Sequence, residues 1–328
     1  MLYFNSSCKG ALIAAGLFAL GSSPAAAQYT AFALPNLPGA TESAAYGINN
    51  LGQVAGFSTV GSPDYATVWS GGSVSQLPRL LGGGEAYAYG INDSGQVIGI
   101  SIITRFYATE WSGGSATQLA DLPGATDSYA YGINNSGQVV GASLTSTGNH
   151  ATEWSGGTVA QLPNLPGADF SFAFGVNDSG QVVGYSGVTF AAYATEWNGG
   201  SVAQLANLPG AAASVARGIN NSGQVVGWSI IGGHYLATEW SGGSVINLGG
   251  LPGATDSEAW GINNSGQVVG YNEYNSILGA NFLATEWSLA PAPGPSGLAM
   301  TSLVLARLSA SWALGGRRKP RASQDAAS

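Results

Sequence analysis

Six variants of GINNSGQVVG, beginning at Gly47, Gly90, Gly132, Gly175, Gly218 and Gly261 and so spaced by 42 or 43 residues, predict an all-β fold: a six-bladed β-propeller of four-stranded blades. Two further observations point the same way. Each period holds four short strand-like segments separated by Gly, Pro and Asn turns. The first period also opens on a fourth-strand segment while the last stops after its third, so each strand type occurs six times and the orphan first strand can close the ring. A β-solenoid with two rungs per period is the alternative.

In the third period, small and aromatic residues alternate into Gly132-Ile133-Asn134, and Gln138-Val139-Val140-Gly141 follows after Asn135-Ser136-Gly137. Alternation and Val/Ile enrichment read as two strands. Asn134 suits the first position of a type I turn and Gly137 the positive-φ position after it, which predicts a three-residue hairpin. The period then runs through a variable stretch into Ala-Thr-Glu-Trp, a Gly-Gly turn, the strand 158–162 and Leu165-Pro166-Gly167-Ala168, where Pro then Gly fits a type II turn.

Taken in order, residues 1–27 read as a secretory signal: Lys9, an apolar run from Gly10 to Gly21, then Ala25-Ala26-Ala27, with cleavage expected between Ala27 and Gln28. Cys8, the one cysteine, falls inside that segment, so the mature chain is expected to hold no disulfide and no thiolate metal site. Residues 28–290 form the repeat domain, with 29–37 (YTAFALPNL) as the strand that completes the last blade. This stretch carries 16 carboxylates against Arg79, Arg105 and Arg217, a net of −13, which argues against nucleic acid or an anionic membrane as partner. Residues 291–297 are a Pro/Gly linker. The apolar segment 298–316 is long enough to span a bilayer, and the tail 317–328 opens on Arg317-Arg318-Lys319, which suits a cytoplasmic flank. Arg307 in mid-segment opposes that reading, and an unstructured tail is the alternative.

The recurring GINNSGQVVG, ATEWSGG and LPGATDS over residues 31–287 resemble the HAF-type extracellular repeats of bacteria. The resemblance implies export and a repeat architecture and implies no enzymatic activity. The usual His-Ala-Phe is replaced here by segments such as Tyr107-Ala108-Thr109. The C-terminus is similar to a PEP-CTERM sorting signal, with Pro293-Gly294-Pro295 standing where Pro-Glu-Pro is usual and Arg317-Arg318 as the basic end. That likeness implies processing by an exosortase-type enzyme at the cell envelope.

Residue chemistry argues against catalysis. His150 and His234 lie in different periods without a companion ligand, the glycines sit in hairpins and not before helices, and no cofactor motif occurs. Glu110, Glu153, Glu196, Glu239 and Glu286 recur identically, which suits solvent-facing structural positions better than an active site. The adjacent Trp69, Trp111, Trp154, Trp197, Trp240 and Trp287 are expected to pack between blades. A glycosidase or lyase would need a carboxylate pair in one place, and Asp64, Asp121, Asp169 and Glu273, which break the repeat register, are its candidates.

Binding is the better-supported expectation. The irregular segments that join second to third strands share one face with the links between blades, which place Glu42, Glu85, Asp127 and Asp256 there. Tyr46, Tyr89, Tyr131, Phe174, Arg217 and Trp260 precede each GIN or GVN, with Tyr87, Tyr129 and Phe172 two residues earlier. Rings beside carboxylates and amides suit a sugar surface, and they suit interblade packing equally well. The sequence therefore predicts an exported, non-enzymatic surface or matrix protein binding extracellular polysaccharide or surface proteins, with a polysaccharide-cleaving propeller and a structural spacer as alternatives.

Overall fold

The structure, a computed structural model, describes residues 33–188, 191–276 and 279–288. The expected signal 1–27, residues 29–32 of the closing strand, the linker 291–297, the segment 298–316 and the tail 317–328 lie outside the described residues. The architecture below is that of residues 35–288.

Six antiparallel sheets follow one another along the chain, each a meander paired in chain order. The third is representative, with strands Asp127–Ile133, Val139–Thr145, Gly148–Ser155 and Thr158–Gln161. The first five sheets have four strands, and the sixth has three among the described residues: Asp256–Ile262, Val268–Ser276 and Gly279–Trp287. The Gly-Ile or Gly-Val pair that ends every inner strand, from Gly47-Ile48 to Gly261-Ile262, lines one central cavity of about 210 Å³. Six sheets around one axis make a six-bladed propeller. The solenoid alternative falls away.

Turn chemistry sets the meander. Asn134 N–H donates to the Gln138 carbonyl and Gly137 N–H to the Asn134 carbonyl, both at 3.1 Å, with Gly137 at φ 81°. That is the three-residue hairpin the sequence predicts. Ser155 pairs with Thr158 across Gly156-Gly157, and Ala168 N–H closes the Leu165–Ala168 turn onto the Leu165 carbonyl at 2.9 Å.

The core lies between blades. Val183 and Ala194 of blade 4 meet Ala216, Val225 and Trp240 of blade 5, and equivalent sets fill the other four successive interfaces. Every Trp of the Ala-Thr-Glu-Trp strands in blades 1–5 is buried. Each also donates its indole N–H to a link carbonyl, as Trp197 does to Pro163 at 2.6 Å, so the expected interblade anchors are observed. Trp69 donates to the Pro35 carbonyl at 2.7 Å, which puts residues 35–37 in the register of a blade link. A nonpolar face alone does not explain the regularity, since apolar burial is non-directional.

Polar clasps supply the direction. The Asn134 side-chain amide donates to the Asn177 carbonyl of the next blade at 2.9 Å, and the same bond recurs from Asn49, Asn92, Asn177 and Asn220 to Asn92, Asn134, Asn220 and Asn263. Beside it, Asn135 N–H donates to Asp178 Oδ1 at 2.9 Å, which holds that carboxyl below the usual carboxylate range. Further out, the hydroxyls of Ser128, Ser171, Ser214 and Ser257 accept the N–H of Ala108, Ala151, Ala194 and Ala237 in the preceding blade.

The faces that meet at the remaining junction are uncovered among the described residues. Ile48 of blade 1 is 70% exposed where Ile91 is 7%, and Val269 of blade 6 is 53% exposed where Val226 is 0%.

Candidate functional site: an aromatic ladder on six bulges

All six inner strands carry a β-bulge at one and the same place. In blade 3, Gly132 pairs with Val140 and Ala130 with Gly141, which leaves Tyr131 as the extra residue. The residues so displaced in the other blades are Tyr46, Tyr89, Phe174, Arg217 and Trp260. A bulge bends its strand and re-aims the unpaired side chain. Here it also dictates the Gly opposite: a Cβ on Gly141 would collide with the Tyr129 carbonyl.

The re-aimed rings touch from blade to blade. Tyr46 and Tyr89 lie 5.4 Å apart between centroids, Tyr89 and Tyr131 5.9 Å, and Tyr131 and Phe174 5.3 Å, within the range of favourable aromatic pairs. Arg217 continues the series between Phe174 and Trp260. The ladder takes part in packing between blades and is exposed at its ends. Tyr89, Tyr131 and Phe174 are half-buried and join blade to blade, whereas Tyr46 and Trp260, 53% and 49% exposed, present their surface to solvent.

A second tier lies two residues earlier along the inner strands, nearer the face of the variable loops. Tyr129 stacks on Tyr131, Tyr87 meets Phe57 edge-on at 5.1 Å, and Phe172 stacks on Tyr185 at 5.1 Å. Polar groups accompany the rings. Tyr87 OH donates to Asp64 Oδ2 at 2.5 Å, and Glu258 accepts from Trp260 Nε1 at 3.1 Å. Burial pushes the Tyr89 hydroxyl up to about 12 and raises Tyr131 further, so both remain neutral at physiological pH. The combination of apolar ring faces, neutral hydroxyls and fixed carboxylates can hold a polyhydroxylated ligand.

The acidic residues expected on this face divide. Glu42 and Glu85 open their inner strands, exposed and half-buried respectively. Asp127 and Asp256 are not open binding groups: Asp127 accepts Phe106 N–H at 3.0 Å, and the buried Asp256 accepts Tyr235 N–H at 2.7 Å. Both clasp the preceding blade, a demand invisible in the sequence because the donor lies 21 residues upstream. The repeated Glu residues also differ from expectation. Glu110, Glu153, Glu196 and Glu239 are half-buried, each accepting a Gln side chain of its own blade, as Gln138 donates to Glu153 at 2.9 Å.

Candidates for catalysis are dispersed. Asp64 of blade 1 is tied to Thr59 of the same blade and to Tyr87 of blade 2, and Asp121 is tied to Arg105, Gln118 and Ser128 beside blades 2 and 3. Asp169 opens blade 4. Glu273 in blade 6 pairs across the ladder with Asp256, whose Oδ1 is committed to Tyr235. His150 is held by Thr145, Thr147 and Gln161.

No protein-family profile matches the chain, and no curated protein does. Solved structures share its fold. TolB from Acinetobacter baumannii is 14% identical with a TM-score of 0.50, over 71% of this chain and 63% of that one. A puromycin-hydrolysing peptidase of Mycobacterium tuberculosis is 10% identical with a TM-score of 0.52, over 74% of this chain and 42% of the peptidase. The chain thus spans under two thirds of the length of either. At such identity the likeness is one of fold, and propellers host many functions.

Proposed function

We propose that this propeller is an exported, non-enzymatic protein of the cell surface or extracellular matrix, and that it binds polysaccharide through the two-tiered aromatic surface around its axis. The observation that carries the reading is the continuity of that surface. Rings on bulged positions touch from blade 1 to blade 4 and accompany Tyr hydroxyls and carboxylates, an arrangement with apolar faces for sugar rings and partners for their hydroxyls. The non-enzymatic part is supported by the spread of Asp64, Asp121, Asp169 and Glu273 over different blades and by the commitment of Asp256, the carboxylate paired across strands with Glu273, to the Tyr235 N–H. Export rests on the signal-like residues 1–27, and envelope attachment on residues 291–328.

The test is co-sedimentation of the mature chain with exopolysaccharide from its producer, alongside the variant Tyr87→Ala. The wild type should partition with the polymer and Tyr87→Ala should bind several-fold more weakly while remaining folded, as read by an unchanged far-ultraviolet circular dichroism spectrum. No partition at high protein concentration removes the sugar reading, and release of reducing ends by the wild type removes the non-enzymatic one.

A further inference from the structure

Position 217 is the place where the ladder changes chemistry. Five blades put an aromatic ring on the bulge and the fifth puts Arg217 there. Its guanidinium carbon lies 4.2 Å from the Phe174 centroid and 4.7 Å from the Trp260 centroid, so it contacts a ring of each neighbouring blade. Its Nε is shielded from solvent and has no hydrogen-bond partner. No carboxylate lies within ion-pairing distance, since the ion pairs among the described residues are Arg105 with Asp121 and His234 with Asp256. Glu258 is near enough to be felt, but it accepts from Trp260 Nε1.

A desolvated cation without a contacting counter-charge is costly. The two rings stabilise it in part through their quadrupoles and at the same time restrict approach. Its terminal N–H groups, unlike Nε, are not shielded from solvent and form a fork toward a ligand. That fork matches a planar, two-oxygen anion better than it matches a point charge.

We propose that Arg217 is an anion-reading residue of the aromatic surface, and that the polysaccharide taken there is acidic: a uronate whose carboxylate is held by the Arg217 fork while its ring face lies on the neighbouring aromatics. This deepens the polysaccharide reading and rests on it. The net negative charge of residues 28–290 opposes a polyanion at long range, but at physiological ionic strength screening confines that repulsion to about 8 Å. Recognition is therefore local to Arg217.

The experiment is calorimetric titration of the mature chain with a polyuronate oligosaccharide and with the same oligosaccharide after carboxyl reduction. Arg217→Tyr serves as the informative variant, because it restores the ring found on other blades and keeps the ladder stacked, while Arg217→Lys keeps charge without the fork. The wild type should bind the uronate about tenfold or more tightly than its reduced counterpart, as expected of a charge-assisted bidentate contact. Arg217→Tyr should bind both alike, near the wild type's affinity for the reduced sugar, and Arg217→Lys should fall between. Equal binding of the two sugars by the wild type, or a uronate preference that survives in Arg217→Tyr, overturns the assignment of Arg217 and leaves the polysaccharide reading standing. Binding of neither sugar by the wild type overturns both.

Discussion

Gly141 shows how one atom holds the site in place. The bulge at Tyr131 drives the Tyr129 carbonyl into the space a Cβ on Gly141 would occupy, and the same demand recurs at Gly56, Gly99, Gly184, Gly227 and Gly270. Gly141→Ala must therefore straighten the bulge or push the strand aside. The expected cost is about 1–3 kcal/mol, as for overpacking elsewhere, read from the urea midpoint, and an unchanged midpoint would show that the bulge does not impose that Gly. Asn134 tells a different story. Its side chain accepts the N–H groups of Ser136 and Gln138 within the turn and also donates to Asn177 in the next blade, and it is 4% exposed. The turn role was legible from Asn-Asn-Ser-Gly; the clasp was not, because its partner lies 43 residues away and local pattern says nothing of it. For the same reason Asp127 and Asp256 read in the sequence as free acids on an open face, when each satisfies a backbone N–H of the blade before.

At the scale of strands, turn chemistry made the meander readable in advance. Asn-Asn-Ser-Gly, Ser-Gly-Gly and Leu-Pro-Gly-Ala each allow few backbone paths, so three hairpin and link geometries followed from composition. Bulges are another matter. They arise from the register between two strands, and Tyr131 is left unpaired opposite Gly141 only once the hairpin is built. The strand expected to finish blade 6 is also decided by register. Residues 30–33 align with Thr158–Gln161, and the link at Pro35 already sits as Pro163 does. If that strand pairs along Gly279–Trp287, hydrogen exchange of the outward amides there should match that of Gly148–Ser155 in the mature chain and quicken markedly in a chain beginning at Pro35. Equal exchange in the two chains would place the closing strand elsewhere.

Over the whole molecule, five interfaces repeat one plan: Val and Ala of one blade against Ala, Val and Trp of the next, clasped by Asn at the axis and, in four of them, by Ser further out. Stability in such an array is close to a sum over neighbours. The ring is thus assembled from local contacts, which is why the 43-residue period sufficed to predict it. Function is not periodic in that sense. The proposed binding surface draws on the places where the plan is varied: Arg217 among five rings, and Tyr46 and Trp260, which are 53% and 49% exposed. The most direct test of a polysaccharide surface around the axis is methyl NMR of the isotope-labelled chain titrated with an oligosaccharide of the producer's matrix. The account predicts shift changes concentrated at Ile91, Ile133, Val176 and Ile219, which line the central cavity two positions beyond the ladder residues of their strands, with Val74, Val159 and Val202 on the outer strands unmoved. Shifts confined to the outer strands, or none at saturating sugar, would contradict it.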